Sequence, residues 1–99
     1  MEIYAVTTIK VNNSGDITSK SVHGLFQDRE RALSILENNS MDIFEFYYDY
    51  GIVEKIKLGM YPVTEVIKWM KLLDYVDNVA ILEEVSTPEE FEMFTGFSL

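Results

Sequence analysis

Ninety-nine residues, 47% apolar and 25% charged with five Gly and two Pro, suit one folded domain over residues 1–99, not a disordered chain or a repeat array. There is no Cys and a single His, His23, which excludes disulfide staples, zinc fingers, thiol nucleophiles and multi-histidine metal centres. Seventeen acids against eight bases leave a formal net charge of −9, so direct binding to a phosphate backbone is disfavoured.

The chain starts Met1-Glu2-Ile3-Tyr4, with no basic stretch ahead of an apolar run and no small-residue cleavage site. No apolar run approaches the ~20 residues that span a bilayer. The expectation is a cytoplasmic protein with no membrane partner.

Residues 3–11 are rich in β-branched side chains and read as a strand. Asn12-Asn13-Ser14-Gly15-Asp16 supplies residues that tolerate positive φ, predicting a hairpin loop into a second strand over 17–26. Asp28 is placed to cap a short helix, with Ala32, Leu33, Ile35 and Leu36 on one face and Asn38-Asn39-Ser40 as its stop. A helix of about three turns is too short to persist unsupported, so it must dock on the sheet.

From Ile43 to Leu58 the even positions Phe44, Phe46, Tyr48, Tyr50, Ile52, Ile56 and Leu58 are apolar or aromatic, broken only by Glu54. That alternation predicts one long strand with all of them on one face, bent at Gly51. Gly59-Met60-Tyr61-Pro62 ends it. The 63–73 segment fits both a helical stripe (Val63, Val66, Ile67, Met70, Leu73) and strand alternation. Asp74 to Asn78 is turn-like, and Val79–Val85 reads as another strand. Thr87-Pro88-Glu89-Glu90 combines a cap, a proline at the first helical position and a capping-box Glu, predicting a short helix at 88–95 that ends near Gly96. The fold class expected is α+β: a mostly antiparallel sheet of about five strands in the order ββαβββα.

Gly24-Leu25-Phe26 before a charged helix start, Tyr48-Asp49-Tyr50-Gly51-Ile52-Val53-Glu54-Lys55, Gly59-Met60-Tyr61-Pro62 and Trp69 together resemble a group of small uncharacterised proteins of Gram-positive bacteria and their phages. The resemblance covers about half the chain. It implies that the Tyr-x-Tyr-x-x-x-Glu run and the Gly-x-Tyr-Pro corner sit in a β-rich core followed by a Trp-bearing strand, which favours strand over 65–73. It implies no catalytic or binding residue.

Signals for chemistry are sparse. Ser21 and His23 share a strand face, and Glu45 and Asp49 share another, so a hydrolase using His23 or a carboxylate pair is one alternative. No nucleophile elbow, calcium loop or phosphate-cradling glycine spacing accompanies them, and no metal or cofactor is expected. The aromatics at 44–50 lack the basic neighbours of a base-stacking platform and read as core.

Charge is the most asymmetric feature. All eight Lys and Arg lie at or before Lys71, while Asp74, Asp77, Glu83, Glu84, Glu89, Glu90 and Glu92 follow with no base among them. Phe97 and Leu99 add apolar groups at the end. Acids around apolar anchors suit a protein interface, so these nine residues form the expected partner-binding site. The leading expectation is a non-enzymatic interaction module whose partner is a basic protein surface of a nucleic-acid-binding protein. One form of this is a phage-encoded inhibitor of a host defence protein, such as a CRISPR component. A structural homo-oligomer, for instance a homodimer through a strand edge or Phe97-Ser98-Leu99, is the other alternative.

Overall fold

The computed structural model describes residues 2–44, 47–59, 63–77, 79–88 and 91, apart from the side chains of Met41 and Val63. In chain order the elements are β1 (Glu2–Val11), β2 (Ile17–Phe26), α1 (Arg29–Glu37), a single 3-10 turn (Ser40–Asp42), β3 (Tyr50–Lys57), β4 (Val63–Val76) and β5 (Val79–Val85). Two of the local boundaries have an identifiable cause. Asn12 Oδ1 accepts from the amides of Ser14 and Asp16, and Gly15 takes φ 83°, which closes the β1–β2 loop. Asp28 caps α1 by accepting from the amides of Glu30 and Arg31.

The strands form one antiparallel sheet in the order β2-β1-β3-β4-β5. The fold is therefore α+β, with five strands and one helix among the described residues. Residues 65–73 are strand, within β4. The helix expected at 88–95 lies for the most part outside the described residues; within them, the Phe91 amide donates to the Pro88 carbonyl at 2.9 Å.

Register sorts the two central strands into two faces. Tyr4–Lys55, Val6–Val53 and Thr8–Gly51 pair on the face under α1; Ile9–Tyr50, Thr7–Ile52 and Ala5–Glu54 pair on the other. Both faces are buried. On the helix side Val6, Val53 and Met70 pack with Ala32, Ile35, Leu36, Ile43 and Phe44. On the opposite side Ile9, Tyr50, Ile52 and Trp69 pack with Phe91. Phe91 stacks on Trp69 at 5.5 Å with the planes 6° apart, and meets Tyr50 edge-on at 5.7 Å. Glu54, which breaks the apolar alternation of the sequence, is also fully buried on this side.

Two expectations are corrected. The long strand over 43–58 begins only at Tyr50. Asn39, Asp42 and Tyr47 have φ of 48°, 54° and 58°, which a strand cannot accommodate, and the Asn39 side chain accepts from the Phe44 amide. The chain so turned tucks Phe44 and Tyr48 under α1, whereas Tyr50 and Ile52 face the other way, so the aromatic set does not share one face. The loop expected over 74–78 is also shorter. β4 absorbs Leu73 as a bulge and continues to Val76, which pairs with Val79; Asp77 turns at φ 50°.

Gly51 is what lets α1 sit close to the sheet. A Cβ at this position would lie 2.5 Å from both Leu36 Cδ1 and Phe44 Cζ. Gly51→Ala is expected to destabilise the fold by about 1–3 kcal/mol, read as a lower urea midpoint at unchanged slope. Gly59→Ala, with nothing within 4 Å of its added Cβ, is the control and should stay within about 0.5 kcal/mol of the parent.

Candidate functional site

β5 is an edge strand, and the β4–β5 hairpin carries four of the nine expected partner-binding residues: Asp74, Asp77, Glu83 and Glu84. The other five, Glu89, Glu90, Glu92, Phe97 and Leu99, lie outside the described residues. The hairpin does not present its four acids as one uniform patch. Lys68 reaches across from β4 to Glu84 at 3.4 Å while holding Glu37 of α1. The hydrogen bond to Glu37, the larger effect, raises the Lys68 ammonium above its ordinary pKa despite partial burial. Glu83 stands opposite Lys71 in the register. Two acids therefore have lysines from earlier in the chain beside them, whereas Asp74, near the end of β4, stands opposite Ile81 and Asp77 lies in the turn.

Apolar exposure collects on the same hairpin. Among the described residues eight large hydrophobics are exposed, and four of them are Leu73, Val76, Val79 and Ile81. Val79 is 61% exposed, unusual for a valine within a strand. None of these four is among the nine residues expected to bind a partner. Their types are ordinary for strands, and only the sheet order shows that β5 is an edge with nothing described beyond it.

Next to the turn, the 3-10 segment is pinned to β4. The Tyr75 hydroxyl donates to Asp42 Oδ1, and Asn39 Nδ2 donates to the same oxygen at 3.2 Å. Tyr47, 60% exposed, packs against the Tyr75 ring at 5.3 Å. Between this segment and the start of β5 runs an open groove of about 300 Å3 lined by Asn38, Asn39, Asp42, Val79 and Ala80. The groove joins positions about forty residues apart, which no local pattern could have indicated.

The residues behind the hydrolase alternative are engaged elsewhere. His23 Nε2 is hydrogen-bonded to Thr8 Oγ1 at 2.7 Å, whereas Ser21 Oγ pairs with the Tyr48 hydroxyl at 2.9 Å. Asp49 Oδ2 accepts from the Val11 amide at 2.8 Å, clasping the end of β1, and Glu45 lies outside the described residues. His23 borders a mostly apolar cavity of about 130 Å3 with Val6, Phe26, Ile35 and Ile43. No group of three or more His, Cys, Asp or Glu among the described residues could hold a metal ion, and no helix there is long and apolar enough to cross a membrane.

No family model, curated protein or solved structure matches this chain. Function has to be argued from the surface itself.

Desolvation lowers the His23 pKa below its ordinary 6.5. Below 6.5 the unfolded chain therefore binds the proton more readily than the folded one. Folding loses this stabilisation as pH falls from 6.5 through the folded value. NMR titration should place the His23 midpoint under 6.5, and His23→Gln should flatten that part of the stability–pH curve.

Proposed function

We propose that this protein is a non-enzymatic protein-binding module whose β4–β5 hairpin docks on a basic protein surface. The observation that carries the reading is the gathering of exposed Leu73, Val76, Val79 and Ile81 on one edge hairpin that bears Asp74 near the end of β4 and Asp77 in its turn. Apolar side chains supply the area that association buries, and acids at the rim choose a cationic partner and speed the encounter. Because Glu83 and Glu84 have lysine neighbours, Asp74 and Asp77 are assigned the larger electrostatic part.

A surface that normally binds nucleic acid is the partner class with matching charge. The sequence-level expectation of a phage-encoded inhibitor that covers such a surface in a host defence protein is one instance of this reading. It is supported by charge and edge geometry and by no relative. The apolar edge also serves the homodimer alternative, but isologous pairing through β5 would bring the acids of two copies together at neutral pH.

The test is capture from a lysate of the cells that make the protein. The parent should retain a defined basic protein at low salt and release much of it at high salt. Asp74→Lys/Asp77→Lys should weaken retention about tenfold or more and reduce its salt dependence. Val79→Ser/Ile81→Ser should weaken it without altering the salt dependence. Retention indifferent to salt and to both variants contradicts the reading, and a parent that is dimeric at all concentrations and loses that state in the valine–isoleucine variant favours the oligomer.

A further inference from the structure

We infer that the groove between the end of α1 and the start of β5 is a recognition pocket for an arginine side chain of the partner. The inference deepens the hairpin reading and rests on it for the identity of the partner.

The lining shows which chemistry is wanted. One N–H of each side-chain amide is committed: Asn38 Nδ2 donates to Ser34 Oγ at 3.1 Å, and Asn39 Nδ2 donates to Asp42 Oδ1. Asn39 Oδ1 is also engaged, accepting from the Phe44 amide at 3.0 Å. Both donors that reach Asp42, from Asn39 and Tyr75, converge on Oδ1, so Oδ2 has no hydrogen-bond partner among the described residues, and neither does Asn38 Oδ1. A groove offering an open carboxylate oxygen and an open amide oxygen favours a cationic ligand rich in donors.

Charge and shape narrow that ligand further. The groove abuts the C-terminal end of α1, the negative end of the helix dipole, and the last turn of α1 contains no basic residue to offset it. Val79 and Ala80 give the other wall an apolar surface suited to an aliphatic stem. About 300 Å3 is roomy for a bare ion and sits at the small end of organic ligand sites, roughly 300–1,000 Å3. A guanidinium presents five N–H donors in a planar fork, enough to engage both open acceptors together, and its weak hydration lowers the cost of entry. A lysine ammonium provides the charge without the fork.

The experiment titrates the intact protein with Nα-acetyl-arginine amide, its neutral citrulline counterpart and the lysine analogue, following backbone amide shifts by NMR. The arginine compound should give saturable shifts at Asn38, Asn39, Asp42 and Ala80 with affinity on the order of millimolar. The lysine compound should bind more weakly and the citrulline compound not detectably. Asp42→Asn, close in shape and still able to accept from Tyr75, should weaken arginine binding about fivefold or more while shifts elsewhere certify its fold. Asn38→Ala should weaken it less. Arginine and citrulline compounds acting alike, an unchanged affinity in Asp42→Asn, or shifts produced equally by calcium chloride would each overturn the assignment.

The partner capture described above separates this inference from its parent. Capture competed by the arginine amide beyond the effect of sodium chloride at equal ionic strength places the partner's arginine in the groove. Capture lost in Val79→Ser/Ile81→Ser but indifferent to Asp42→Asn and to the arginine compound leaves the hairpin reading standing and the groove assignment refuted. Saturable arginine binding without any captured partner refutes the hairpin reading instead.

Discussion

Burial of β1 and β3 on both faces is the constraint from which the rest of the molecule follows. An antiparallel sheet normally turns one face to water, yet here Ala5, Thr7, Ile9 and Ile52 are as inaccessible as Val6 and Val53 beneath α1. One nine-residue helix can cover only one side. The opposite side is closed at the stack of Trp69, Tyr50 and Phe91, so chain that follows β5 is recruited to the core. The outermost strands are left with fewer neighbours, and the solvent-facing residues of β4 and β5 become the surface on which function is argued.

The same constraint explains the tight contacts around Gly51. With both faces of β3 packed, the helix and the 3-10 segment must approach the backbone closely, and a side chain at that position has no room. Phe44 and Leu36 occupy the space. Anchoring Phe44 there requires the chain after α1 to reverse within a few residues, which places Asn39 and Asp42 in left-handed conformations next to the β4–β5 turn. Core packing and the acceptor-rich groove are thus two consequences of one reversal.

Much of the fold was legible from the sequence because its causes are local. β-branched runs mark β1 and β5, Gly15 and Asn12 mark the first turn, and Asp28 marks the start of α1. The 43–49 stretch was not legible, since alternating aromatics look alike whether they line one strand face or divide between two cores, Phe44 and Tyr48 beneath α1 and Tyr50 beside Trp69. The acidic bias toward the end of the chain was equally visible, but which acids have lysines beside them depends on Lys68 and Lys71 standing on the strand adjacent to β5. Least legible were the exposed apolar residues and the groove. Whether Val79 faces water depends on its strand being at an edge, and the meeting of Asp42 with Ala80 depends on the order of all five strands.

The β4–β5 edge is the proposed working surface of the protein. Hydrogen–deuterium exchange, compared between the free protein and its complex with the captured partner, addresses it most directly. Added protection is expected across 79–85 and 38–42, with little change in β2, the opposite edge of the sheet. Protection concentrated in β2 with β5 unaltered would contradict it.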